Sequence, residues 1–228
     1  MSSKKIIVAL DGSNLSKIKK IVTELKSEVN SFKIGYEFFF NHGISGYNQI
    51  KRISSKIFLD LKLHDIPNTV GKGILAIDKL KPILTTIHIS GGNEMMRTSV
   101  VNRKYTKILG VSILTSLNSY QTKKFYNEKK IEVLISKFAR EAKKQKLDGI
   151  VCSPKEIMIV RKIVGNNFLI ITPGIRINKL KERNDDQKRV LTPSKAIKMG
   201  ADLLVIGRPI TLSKNPLKTL KEINNSLN

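Results

Sequence analysis

Short apolar runs rich in valine and isoleucine recur along the chain, at 6–11, 32–35, 57–62, 85–90, 108–114, 149–153, 168–173 and 203–207. Longer stretches with apolar residues at helical spacing lie between and after them, at 13–29, 36–54, 68–80, 93–101, 131–145, 154–164, 193–199 and 216–226. Strands buried on both faces look like these runs, because helices cover one face and other strands the second, so polar alternation is lost. Such strands separated by helices imply a parallel sheet. Pro154, Pro193 and Pro216 fall where first helical turns are expected, the place where a helix tolerates proline.

Eight strands in 228 residues give a repeat of roughly 28 residues, at the compact end of the range for a (β/α)₈ TIM barrel. The expected architecture is therefore α/β, with one barrel domain spanning residues 1–228. The competing doubly wound open sheet normally uses fewer strands and a phosphate loop after the first, and Asp11-Gly12-Ser13-Asn14 is no such loop. The chain has no charged-then-apolar leader and no apolar run of about twenty residues. Its single cysteine, Cys152, rules out an internal disulfide, so a cytoplasmic protein is expected.

The net charge of +24 changes the picture less than its size suggests. Lysines are spread over the polar sides of amphipathic segments, at Lys17, Lys19, Lys20, Lys143, Lys144 and Lys218 among others, with 6% aromatic residues and no tryptophan. That pattern describes a solvated surface and not a nucleic-acid platform. The summed field still favours anionic substrates.

In a (β/α)₈ barrel the chemistry sits at the C-terminal ends of the strands. Those ends carry Asp11, Lys33, Asp60, Lys62 and Asp65, then His88, Thr115 with Ser116, Cys152 with Ser153, Pro173 to Arg176, and Gly207 with Arg208. Asp60 and Lys62 share a strand face by the period of two, so both are expected to point into the barrel mouth. Two carboxylates (Asp60, Asp65) and two ammonium groups (Lys33, Lys62) there are either a functional array or a structural ion-pair cluster, and their position favours function. Gly207-Arg208, just before a helix, fits the phosphate site that barrels often build from their seventh and eighth loops. The long polar segment 177–190, with Lys179, Lys181, Arg183, Asp185 and Gln187, exceeds an ordinary connection and is expected to act as a lid.

The segment from Phe58 to Thr69, FLDLKLHDIPNT, closely resembles the signature of the orotidine 5′-phosphate decarboxylase family. The resemblance extends to Ala9-Leu10-Asp11, Phe32-Lys33-Ile34-Gly35, Leu114-Thr115-Ser116, Thr172-Pro173-Gly174-Ile175-Arg176, Asp186-Gln187 with Arg189, Thr192-Pro193 and Gly207-Arg208-Pro209-Ile210-Thr211. It covers nearly the whole chain without departure at a motif position, and is far more specific than Asp-x-Lys alone. It implies decarboxylation of orotidine 5′-monophosphate to UMP, with no metal and no organic cofactor. Carried over by position, Asp60 would lie against the substrate carboxylate, Lys62 would donate the proton, and Lys33 would hold Asp60 and touch ribose. Asp65 and Thr69 would reach the partner's site in a homodimer. Asp11 would bind ribose, Thr115 would lie by the pyrimidine, Gln187 would bridge base and phosphate, and Arg176, Gly207 and Arg208 would bind the phosphate end.

Other residues carry plainer expectations. His64 is expected to pack or to support the site from behind, His88 to border the mouth, and His42 to lie outside it. Three histidines and one cysteine offer no metal-ligand cluster at usable spacing. Cys152 reads as a small apolar residue, and Met95-Met96 as packing residues. Two alternatives stay open. One is a magnesium-using sister enzyme, such as a hexulose-phosphate synthase, which shares Asp-x-Lys-x-x-Asp but would not be expected to carry Ile66-Pro67-Asn68-Thr69 or the Gln187 loop. The other is a basic nucleic-acid binder, which would leave the charge array without purpose.

Overall fold

The computed structural model describes residues 4–175 and 191–227. Eight parallel strands close into a barrel in chain order: β1 (Ile6–Leu10), β2 (Ser31–Ile34), β3 (Ile57–Leu63), β4 (Leu84–His88), β5 (Lys107–Val111), β6 (Gly149–Val151), β7 (Leu169–Thr172) and β8 (Leu203–Ile206). Closure is made by β8 against β1, with Ile6, Ile7 and Val8 opposite Leu204, Val205 and Ile206. This is the (β/α)₈ fold that the run pattern predicts.

Side-chain alternation divides the core in two. Ile7, Phe58, Leu84, Leu109 and Ile171, all on strands, fill the barrel interior. Ile6, Val8, Leu10, Phe32 and Ile34 face the other way and pack against helical residues such as Ile18, Val22 and Phe38. The helices are α1 (Leu15–Leu25), α2 (Tyr36–Ile53), α3 (Pro67–Leu80), α4 (Gly92–Asn102), α5 (Ser119–Tyr126), α6 (Ile131–Lys144), α7 (Ile157–Val164), α8 (Pro193–Lys198), α9 (Arg208–Thr211) and α10 (Pro216–Asn225). Among the described residues, no helix is long and apolar enough to cross a membrane.

Three differences from the predicted elements have local causes. Helix α5 is absent from the sequence reading because it buries only Thr122 and so lacks an apolar stripe; a capping box between Asn118 and Gln121 starts it instead. The predicted helix 36–54 is interrupted at Gly43, whose φ of 55° only glycine adopts freely. The one-turn helix α9 follows β8 directly, where the sequence reading expects a helix only some residues later.

Carboxylates tie the strands at the N-terminal end of the barrel. Asp148, just before β6, accepts the Ile108 N–H at 2.7 Å and pairs with Arg103. Asp202, just before β8, accepts the Ile170 N–H at 2.7 Å and the Arg161 guanidinium at 2.6 Å. Each carboxylate binds a backbone N–H of the preceding strand, at the face of the barrel that serves stability and not chemistry.

Candidate active site

The inward face of β3 continues from Phe58 to Asp60 and Lys62, and the charged pair emerges where the strand ends. Asp60 is 7% exposed, and a carboxylate so placed needs partners. It has three: Lys62 Nζ at 2.8 Å and Lys33 Nζ at 3.5 Å on Oδ2, and the Thr86 hydroxyl, which donates to Oδ1 at 2.9 Å. Burial alone pushes the Asp60 carboxyl upward, but the two ammonium groups and the hydrogen bonds from Lys62 and Thr86 outweigh it and hold the group below the usual carboxylate range. Asp11, at the end of β1, lies 3.9 Å from Lys33 Nζ and extends the array to Asp11–Lys33–Asp60–Lys62. Gly35 leaves room for it, since a Cβ there would sit 2.9 Å from Lys33 Nζ.

Lys62 has an unusual backbone. Its φ is 43°, in the left-handed region that costs an L-residue roughly 1–2 kcal/mol. The register between β3 and β4 shifts between Leu59 and Leu63. Within this irregularity the Lys62 N–H donates to the Thr86 hydroxyl at 2.9 Å, and the Tyr36 hydroxyl donates to the Leu61 carbonyl at 3.0 Å. The Tyr36 ring also lies 5.5 Å from Lys62 Nζ and stacks on Phe40. Burial, and secondarily the Asp60 charge, raise the Tyr36 phenol above its ordinary value, so it stays a donor at neutral pH.

Lys33, Asp60 and Lys62 line a cavity of about 240 Å³ bounded also by Thr115, Cys152 and Pro173. Strand β5 ends at Val111, short of the predicted run to residue 114, so Thr115 reaches the cavity from the segment beyond the strand and not from its end. Gly207 and Arg208 follow β8, with Arg208 opening α9. Asp65 and Thr69 are exposed on the rim; the Asp65 carboxylate accepts the N–H of Ile66 at 2.6 Å, and no cation among the described residues lies within salt-bridge distance of it. Within this chain Asp11, and not Asp65, is the second carboxylate of the array. Arg176, Gln187, Arg189 and the expected lid 177–190 lie outside the described residues.

The remaining candidates sort by burial. His88 is half-buried beside His64, with ring centroids 5.1 Å apart. Burial, then the neighbouring His64 and Lys62, lower its pKa to about 4, so it is neutral at pH 7. His42 lies on α2, edge-on to Phe38 and away from the cavity. Cys152 borders the cavity but is buried, and that burial, with Glu156 nearby, pushes its thiol up and out of the nucleophilic range. Met95 and Met96 are buried packing residues. Among the described residues, no cluster of three or more His, Cys, Asp or Glu is placed to hold a metal ion.

Thr86 and Tyr36 are the residues that sequence reasoning missed. Thr85-Thr86, two hydroxyls inside an otherwise apolar run, was the available signal for the first. Nothing in the local pattern marks the second.

The model of the Orotidine 5′-phosphate decarboxylase / HUMPS family matches residues 4–223. The chain belongs to this family. Among its relatives, a protein of Wolbachia pipientis subsp. Culex pipiens named orotidine 5′-phosphate decarboxylase is 43% identical over 97% of this chain and 98% of its own length. One of the same name from Carboxydothermus hydrogenoformans is 42% identical, covering 93% of this chain and 91% of its own. The crystal structure of orotidine 5′-phosphate decarboxylase from Lactobacillus acidophilus superposes with a TM-score of 0.85 at 33% identity, covering 99% of both chains. The Asp60-Leu61-Lys62 array of this decarboxylase-family chain therefore sits in a fold shared with a solved structure of that name.

Proposed function

We propose that the protein decarboxylates orotidine 5′-monophosphate to UMP, the closing step of UMP synthesis, in the cytoplasm and without metal or organic cofactor. The observation that carries this reading is the Lys33–Asp60–Lys62 array, extended by Asp11, whose first three members line a cavity at the C-terminal end of the barrel. Loss of CO₂ from an sp² ring carbon leaves the electron pair on that carbon with little delocalisation. An ammonium aimed at the carbon stabilises the developing charge, then delivers a proton to it, and Lys62 suits both tasks. Asp60 fixes that ammonium and, beside the substrate carboxylate, repels it in the ground state, a repulsion relieved as CO₂ departs. Both Asp60 oxygens are already engaged by Thr86, Lys33 and Lys62, which leaves the carboxylate poorly disposed to ligate magnesium.

The other roles follow the family resemblance: Asp11 and Lys33 toward ribose, Thr115 toward the pyrimidine, Arg176, Gly207 and Arg208 toward phosphate, and Gln187 bridging base and phosphate. A homodimer is part of the same reading. Asp65 and Thr69 are exposed on this protomer, as groups serving a partner's cavity must be, and Ile66 beside them is 65% exposed, an apolar surface suited to burial in an interface.

The test is the ultraviolet absorbance of orotidine 5′-monophosphate with purified protein in EDTA, run beside Lys62→Ala. Conversion to UMP by the wild type and its near-abolition in a folded Lys62→Ala variant are expected. Near-normal turnover by that variant would sink the proton-donor role. Inactivity of the wild type on this substrate, with magnesium-dependent activity on a hexulose phosphate, would move the protein to the sister enzymes.

A further inference from the structure

The peptide joining Leu61 to Lys62 has left the regular sheet. The β3 register jumps between Leu59 and Leu63, and neither Leu61 nor Lys62 has a register partner in β2 or β4. A peptide in that position would be free to rotate, and rotation would swing the Lys62 side chain. Two side chains hold it from opposite ends: the Thr86 hydroxyl accepts its N–H at 2.9 Å, and the Tyr36 hydroxyl donates to its C=O at 3.0 Å. These bonds support a left-handed residue that sterics disfavour. Thr86 uses its own proton on Asp60, so one hydroxyl sets both the backbone of Lys62 and the carboxylate that grips its ammonium. The Tyr36 ring closes the third side, 5.5 Å from Nζ, within range of a cation–π contact, and is itself steadied by stacking on Phe40.

We propose that Tyr36 and Thr86 are positioning residues that clamp the Leu61–Lys62 peptide and so aim the Lys62 ammonium into the cavity. The proposal rests on the reading of Lys62 as the reacting ammonium. The cleaner probe is Tyr36, because Thr86 also serves Asp60. Tyr36→Phe removes only the hydroxyl, and Tyr36→Leu removes the ring as well. Losing one hydrogen bond of ordinary strength lowers kcat about three- to ten-fold in Tyr36→Phe, with KM and the Kd for UMP within about two-fold of wild type and a further fall in kcat for Tyr36→Leu. Misplacement of a reacting group lowers kcat in this way, whereas general loosening of the site weakens UMP binding as much as turnover.

The wild type is measured alongside on orotidine 5′-monophosphate. If the wild type turns over and Tyr36→Phe keeps its full kcat, or loses UMP affinity in parallel with kcat, the clamp is overturned while the decarboxylase reading stands. If the wild type is inactive, that reading fails, and a crystal structure of Tyr36→Phe decides the clamp by itself. Departure of Lys62 from the left-handed region, with displacement of Nζ, is expected; Lys62 unmoved in that structure overturns the proposal.

Discussion

Replacing Asp60 by asparagine keeps the shape of the side chain and deletes its charge. The two ammonium groups stand 2.8 and 3.5 Å from its Oδ2. At an effective dielectric of about 20 these separations correspond to roughly 6 and 5 kcal/mol of gross attraction, most of it offset by the cost of removing three charges from water. The measurable quantity is the cost of leaving partners unpaired, about 3–5 kcal/mol for a buried pair. Lys62 keeps 28% of its side-chain exposure and Lys33 retains Asp11 at 3.9 Å, so screening favours the lower end, about 3 kcal/mol. For a chain of this size that lowers Tm by about 6–12 °C, read by calorimetry at pH 7. The sign of the pH dependence is fixed too. The Asp60 pKa is lowered in the folded state from 3.8, so its contribution is complete above the unfolded value and is lost as pH falls through the folded one. The gap between wild type and variant should close in that acid range. An Asp60→Asn protein as stable as wild type at pH 7, or more so, would refute the argument and mark the array as a strained cluster tolerated for function.

Other expectations are shorter. Asp202→Ala removes the acceptor of the Ile170 N–H and the Arg161 guanidinium, and should cost about 1–3 kcal/mol in denaturant unfolding with kcat unchanged, since the loss is at the far end of the barrel. Arg208→Ala should raise KM for the phosphorylated substrate strongly, and an unchanged KM would remove the phosphate site from the β8 end. His88, held near pKa 4 against an ordinary 6.5, refuses a proton that the unfolded chain takes up. Stability is therefore full above pH 6.5 and declines as pH falls toward 4, by about 1–2 kcal/mol once its partial exposure is discounted. The slope of unfolding free energy against pH in His88→Asn should be correspondingly flatter.

The barrel was legible because both of its signals are local. Runs such as Ile6-Ile7-Val8-Ala9-Leu10 and Leu203-Leu204-Val205-Ile206 announce doubly buried strands, and parity along β3 places Phe58, Asp60 and Lys62 on one face. The partners of Asp60 were half legible. Lys33 follows from strand order, but Thr86 depends on how β4 is offset against β3, and a register shift is a relation between two strands that neither run encodes. The same shift hides Tyr36, whose hydroxyl matters only because the Leu61 carbonyl lies in the irregular stretch. Helix α5 escaped because its residues satisfy a cap and not a core. Asp65 read as a member of the array because it is close in sequence, yet the turn after β3 leaves it exposed on the rim, and Asp11, following β1, is the carboxylate 3.9 Å from Lys33.

The two ends of the barrel use the same acid for different ends, and the choice of cation explains why. At the N-terminal face Asp148 and Asp202 meet arginines and backbone N–H groups. A guanidinium is permanently charged and planar, so such a pair fixes geometry and can release no proton. At the mouth Asp60 meets lysines. An ammonium is a compact charge on a flexible stem that can give up a proton, which a donor must do and a brace must not. On the proposed proton-donor role, flexibility is the cost of the chemistry, because a four-carbon stem does not aim itself. The irregular Leu61–Lys62 peptide, held by hydroxyls from β4 and α2, supplies at the backbone the direction that the lysine side chain lacks.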